Sequence, residues 1–206
     1  MASATVAMPS VATPSAILDT PAHRSKTTDA TNVAVSGRAC TALGRGKKAV
    51  VVTAGAFSHA KLLRGDKGEA VAAAGAFCLA ENHDGFASMA AVGNGARSVS
   101  HHEFCPAVTV GYAPIAEHTA PGGVAVCIGP EPIASAGPSG YLVFLDLAGG
   151  PPEAHIFAVG ENGIEPNVPY LFMPGMDLPE RADKDPDYLL ALAGRRRAIR
   201  EARTVV

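Results

Sequence analysis

The sequence predicts a mostly β fold: an antiparallel sandwich or barrel, preceded by an extended N-terminal arm and followed by one C-terminal α-helix. Three observations point there. Runs of five to eight β-branched or apolar residues recur along the chain, each closed by Gly or Pro. The 22 Gly and 16 Pro among 206 residues exceed their usual share of about 12% and mark many turns. In "AVTVGY" residues alternate with period two, as on a strand with one face buried.

In chain order, residues 1–30 are rich in Ala, Ser, Thr and Pro, and Pro9, Pro14 and Pro21 forbid a long helix. This segment reads as an extended or disordered arm. The β domain is expected over 31–170. "TNVAVSG" and "KKAVVVTAG" open it as two strands. Residues 68–85 are rich in Ala, which favours helix, but Gly75 and the short length favour strand, and strand is the reading adopted. "GFASMAAVG", "RSVSHHEF", "AVTVGYA", "GVAVCIG", "GYLVFLDLAG" and "EAHIFAVG" follow as strands. In "AVTVGY", Val108, Val110 and Tyr112 share one face, opposite Thr109 and Gly111. "YLVFLDL" is apolar on both faces apart from Asp146, so it reads as a central strand covered on both sides. Asn94-Gly95 and Asn162-Gly163 are tight-turn signals. No strong internal repeat is apparent. Residues 171–206 read as a linker and a helix. Asp185 is its N-cap, Pro186 its first residue, and Arg195, Arg196, Arg197, Arg200 and Arg203 lie toward its C-terminal end.

Composition and charge narrow the function. Apolar residues make up 48% of the chain, but Trp is absent and aromatics are 5%. A core of Ala and Val buries little area per residue. Residues 98–180 carry nine acids and no Lys or Arg, whereas 1–97 and 181–206 are net basic. Either the acidic middle folds against its own basic flanks, or like subunits meet acid to base. An acidic middle repels phosphate, which argues against nucleic acid. No run reaches a membrane span of about 18 apolar residues. The N-terminus lacks the features of a cleavable signal, so the expected setting is cytoplasmic or a virion.

Chemical motifs are few. Cys40, Cys78, Cys105 and Cys127 are too widely spaced for a C-x-x-C site and read as buried small hydrophobes. "GRGKK" fails the Walker spacing, and "GNGARS" has Ser98 where the dinucleotide fingerprint needs a third Gly. There is no G-x-S-x-G and no H-E-x-x-H. If "RSVSHHEF" is a strand, His101 and Glu103 share a face and could supply two metal ligands, with a third from His118 or His155. His59 and His83 lie in turn-like contexts, and Asp84 could orient His83. The alternative reading, a rim of polar strand residues, is the one adopted. No residue is therefore assigned as catalytic, cofactor-binding or metal-ligating, and no cofactor is expected. An arm, a thin core, sorted charge and missing catalytic chemistry suggest a self-assembling structural protein, such as a virus or phage capsid or decoration subunit. Its partners are then further copies of itself or a shell protein. The competing expectation is a metal-dependent enzyme on a β scaffold that uses His101 and Glu103.

Overall fold

The computed structural model describes residues 17–19, 24–26, 32–37, 40–45, 49–64, 69–83, 87–103, 105–147, 152–173 and 175–184. The strands are β1 (Ile17–Asp19), β2 (Arg24–Lys26), β3 (Asn32–Ser36), β4 (Thr41–Arg45), β5 (Val50–Ala54) and β6 (His59–Arg64). Then come β7 (Glu69–Ala74), β8 (Leu79–Asn82), β9 (Ala87–Val92), β10 (Arg97–Ser100), β11 (Ala107–Val110) and β12 (Ile115–His118). The last are β13 (Val124–Ile128), β14 (Ile133–Ala136), β15 (Tyr141–Asp146), β16 (Glu153–Ala158), β17 (Tyr170–Leu171) and β18 (Glu180–Arg181).

Odd-numbered strands pair with odd and even with even. One sheet runs β1-β3-β5-β7-β9-β11-β13-β15-β16, and the other runs β18-β17-β14-β12-β10-β8-β6-β4-β2. From β1 to β15 and from β2 to β14 all pairing is parallel. The chain is thus a solenoid: each coil adds one strand to each sheet. Val71, Met89, Ala107 and Ala125 stack as successive partners, 18 residues apart.

This corrects the expected antiparallel sandwich or barrel. Period-two alternation and Gly-closed strands are common to both architectures. The difference lies in what each strand pairs with, and here a strand skips its sequence neighbour to pair one coil on. Among the described residues there is no helix, and the helix expected from Asp185 onward lies outside them. Within 68–85, Glu69–Ala74 form β7 and Leu79–Asn82 form β8, as the strand reading expected. Pairing already begins at Ile17, inside the segment read as an arm, and continues to Arg181, beyond the expected domain end.

The expectation of no repeat is also corrected. Gly37, Gly55, Gly75, Gly93, Gly111 and Gly129 occupy one corner of successive coils, at φ between 125° and 146°. Two residues on, Phe57, Phe77, Gly95, Ala113 and Glu131 are also left-handed, at φ 46° to 60°. One residue further, Cys40, Ser58, Cys78, Ala96, Pro114 and Pro132 turn inward and are buried. The repeat is therefore a conformational one: glycine, any residue, a left-handed residue, then a small one. The corner glycines continue the ladder, for example Gly75 N–H to Val92 O at 2.9 Å and Gly93 N–H to Val110 O at 2.8 Å.

The core between the sheets is narrow. Ala42, Ala60, Ala80, Ser98, Ala116 and Ala134 share one register across six strands, and each is fully buried. Small residues at one level let the two backbones approach closely, and this explains how a chain poor in aromatics fills its interior. Two of the polar groups inside pair with each other. Thr109 Oγ1 donates to Ile115 O at 2.8 Å, which leaves Ser98 Oγ to donate to Thr109 at 2.6 Å. The alternation expected for "AVTV" is therefore correct, with Thr109 inward and Val108 and Val110 outward. All four cysteines are free and buried, as expected, and burial raises the thiol pKa of Cys40 and Cys127.

At the C-terminal end the parallel stacking stops. β16 pairs antiparallel with β15, β17 antiparallel with β14, and β18 antiparallel with β17. Phe144, Phe157 and Phe172 stack there, with centroids 5.3 to 6.1 Å apart, and plug the open end of the core. A reversed last strand offers no register for another parallel coil.

His118 is 1% exposed, and neither ring nitrogen has a hydrogen-bond partner among the described residues. Burial lowers its pKa below the ordinary 6.5, and backbone groups of His102, Ala120 and Cys105 only soften the effect. Below pH 6.5 the unfolded chain binds a proton that folded His118 resists, so stability falls with pH until the lower folded pKa is passed. The urea midpoint is expected to drop as pH falls below 6.5, and His118→Leu is expected to reduce that slope. An unchanged slope in the variant would assign the acid sensitivity elsewhere.

Candidate functional site

The two sheets present different chemistry outward. On the first sheet, Ala34, Val52, Ala72, Ala90, Val108, Val126, Val143 and Ile156 form one outward row across eight strands. Beside it runs Ala54, Ala74, Val92, Val110, Ile128, Leu145 and Ala154. Neither row contains a charged residue. Val52, Val92, Tyr141 and Ile156 stand among the exposed large hydrophobics, with Ile156 at 65%. "YLVFLDL" was expected to be a central strand covered on both sides; it is flanked by β13 and the edge strand β16, and its outer face, with Tyr141, is open to solvent in the single chain.

Strands spaced about 4.8 Å apart, with about 3.3 Å per residue along each, give this face an area of roughly 600 Å². Monomers rarely expose a contiguous apolar patch beyond a few hundred Å². A parallel sheet, moreover, is normally covered on both faces.

The outer face of the second sheet mixes apolar residues, such as Leu79 and Ile133, with ion pairs around Glu81 and Glu117. Glu81 on β8 lies between Lys61 and His59 of β6 and His83, two residues further along the same face. Lys61 Nζ donates to Glu81 Oε1 at 3.0 Å, His59 Nε2 bonds Oε2 at 2.9 Å, and His83 Nε2 also contacts Oε1. Burial alone would raise the Glu81 pKa, but these three partners outweigh it and hold the carboxyl far below the usual range. His101 follows one coil after His83. The stacking is visible in the backbone, where His83, His101 and Thr119 donate N–H bonds to Leu62, Asn82 and Ser100 at 3.0, 2.9 and 2.9 Å. The rings of His83 and His101 lie 4.5 Å apart. His101 Nδ1 bonds Thr119 Oγ1 at 2.8 Å. Burial, and then the nearby His83, depress the His101 pKa. Ligand-type atoms of Glu81, His83 and His101 all lie within 4.8 Å of one another.

The structure separates the pair expected from the sequence. β10 ends at Ser100, so His101 and Glu103 belong to the following turn rather than to one strand face, and Glu103 is exposed. His118 points into the core, and His155 packs on Phe172 at 4.5 Å at the C-terminal plug. His101 alone of the four stays in a cluster of ligand-type groups, with Glu81, which sequence reasoning missed, and His83, which it singled out only beside Asp84. The signal for His83 was its 18-residue offset from His101, which means something only once the coil length is known. Asp84 lies outside the described residues.

Charge sorting is partly resolved within the chain. Arg97 reaches Glu117 at 2.5 Å, and Arg181 reaches Glu165 at 2.8 Å, so both basic flanks pair with the acidic middle.

No protein-family model, curated protein or solved structure matches the chain.

Proposed function

We propose that the chain is a self-assembling structural protein whose copies meet through the outer face of the first sheet. The observation that carries this reading is the absence of charge from that face over eight strands, opposite a face rich in ion pairs. The occupant is a second copy. Two such faces together remove about 1,200 Å² from water, which is the lower bound of a stable specific interface. Flat rows of Val, Ala and Ile spaced one coil apart can interdigitate with an identical set, as the inner faces of a sandwich do. The buried cysteines and the plugged C-terminal end add no reactive group to this picture.

Sedimentation equilibrium on purified protein tests the reading. A dimer or larger species is expected at micromolar concentration, undiminished by raising the salt, because apolar burial is not screened. A monomer at every concentration up to the solubility limit would overturn it. Dissociation by salt would replace it with acid-to-base assembly.

A further inference from the structure

We propose that Glu81, His83 and His101 form a binding site for one divalent transition-metal ion of the zinc or cobalt class. The site is independent of the assembly reading, since it lies on the opposite sheet.

Three features of the geometry support it. First, the ligand atoms already lie within 4.8 Å of one another, and the backbone ladder sets this spacing. Glu81 lies on β8 and His83 directly follows its last residue, where its N–H still bonds Leu62 O at 3.0 Å, and His101 sits one rung along. A tetrahedral ion with bonds of about 2.0–2.2 Å holds its ligand atoms about 3.4 Å apart, so the widest pair must close by somewhat more than about 1 Å, within reach of side-chain rotation. Second, the groups behind the ligands are in place. If His101 Nδ1 carries the proton and donates to Thr119 Oγ1 at 2.8 Å, Nε2 is left with its lone pair for the ion. Thr119 Oγ1 in turn donates to Ser100 O at 3.4 Å. On the other ligand, His59 holds Glu81 Oε2 at 2.9 Å, which leaves Oε1 on the side of His83. Third, the donor set is selective. Two imidazoles with one carboxylate suit zinc, cobalt or nickel, whereas magnesium and calcium prefer oxygen alone. Three protein ligands leave at least one coordination position for water or for a group on another molecule.

Lys61 is the competitor. Its ammonium lies 3.0 Å from the same oxygen, Oε1, that the ion would take. It must swing toward solvent when the ion arrives, and with 23% of its side chain exposed it has room to do so. Lys61 therefore weakens the site, and its removal should strengthen it.

The test is titration of untagged full-length protein with cobalt(II) alone, read by the visible absorption of the bound ion and by calorimetry, with magnesium(II) as the control. One cobalt per chain is expected, and no magnesium. His83→Ala and His101→Ala should each weaken binding at least about tenfold, Thr119→Val about tenfold, and Lys61→Gln should tighten it. All four side chains sit on the outer face or at its margin, so each variant is expected to keep its strands, with circular dichroism as the check. Cobalt binding at wild-type affinity in both histidine variants would overturn the proposal. So would the absence of binding in both the wild-type protein and Lys61→Gln.

Discussion

Gly93→Ala is expected to destabilise the protein by about 3 kcal/mol or more, an effect large enough to unfold a chain of ordinary stability. Two costs combine. Gly93 sits at φ 140°, a region essentially closed to residues with a Cβ. A Cβ there would also lie 2.2 Å from the carbonyl oxygen of Gly75, on the coil before. That oxygen belongs to the backbone and cannot rotate away as a side chain would. Relief requires the two coils to separate at the corner, which strains the neighbouring Gly75 N–H to Val92 O bond. The same contact recurs at Gly55, Gly75, Gly111 and Gly129, each against the glycine one coil earlier at 2.0 to 2.3 Å. The corner is in effect a column of stacked glycines. Gly122 supplies the control. It too is left-handed, at φ 68°, but a Cβ there meets nothing within 4 Å, so Gly122→Ala should cost only about 1 kcal/mol. Urea unfolding followed by circular dichroism separates the two. Variants within 1 kcal/mol of each other would mean that the column does not carry the stacking.

That column also explains why the sequence was only partly legible. The corners read GRAC, GAFS, GAFC, GNGA, GYAP and GPEP. They share a glycine and a small fourth residue, and in a chain with 22 glycines neither stands out. What repeats is the backbone conformation: the third position is Phe, Gly, Ala or Glu, and is left-handed in each case observed. Strand content was legible because local alternation writes it directly, as in "AVTV", and because Gly75 and the short length decided the Ala-rich β7. Pairing was not, because the same alternation serves a hairpin partner and a coil partner equally. Asn94-Gly95 illustrates the ambiguity. It suggested a tight turn between strands and does make one, but the chain then enters the opposite sheet instead of returning to pair with β9. The candidate metal cluster followed the same rule. His101 was conspicuous beside His102, but its partners His83 and Glu81 come from the previous coil, and no local window contains all three. The outward apolar rows were hidden for a related reason. In "AVTV" the alternation separates two faces without saying which one is buried, and a narrow interior takes the threonine side.

Val126→Lys should abolish association while leaving the single chain folded. Val126 lies near the middle of the outward row on β13, between Val108 and Val143. In a pair of copies related by a two-fold axis the substitution appears twice in one apolar interface. Each ammonium must then be buried without a counter-charge, since neither outward row offers an acid. An uncompensated buried charge costs about 3–5 kcal/mol, and 4 kcal/mol alone raises the dissociation constant about a thousandfold. In the free monomer the same position faces water, so the change there is limited to strand preference and stays within about 1 kcal/mol. Thr41→Lys, on the outer face of the second sheet in register with His59, adds the same charge to the side that carries the ion pairs and should leave the association state unchanged. Sedimentation of the two variants at equal concentration makes the comparison. Equal loss of the dimer in both would trace assembly to net charge. Loss in Val126→Lys alone, with its urea midpoint preserved, locates the contact on the apolar face, where a parallel sheet left bare on one side gains most from a covering layer.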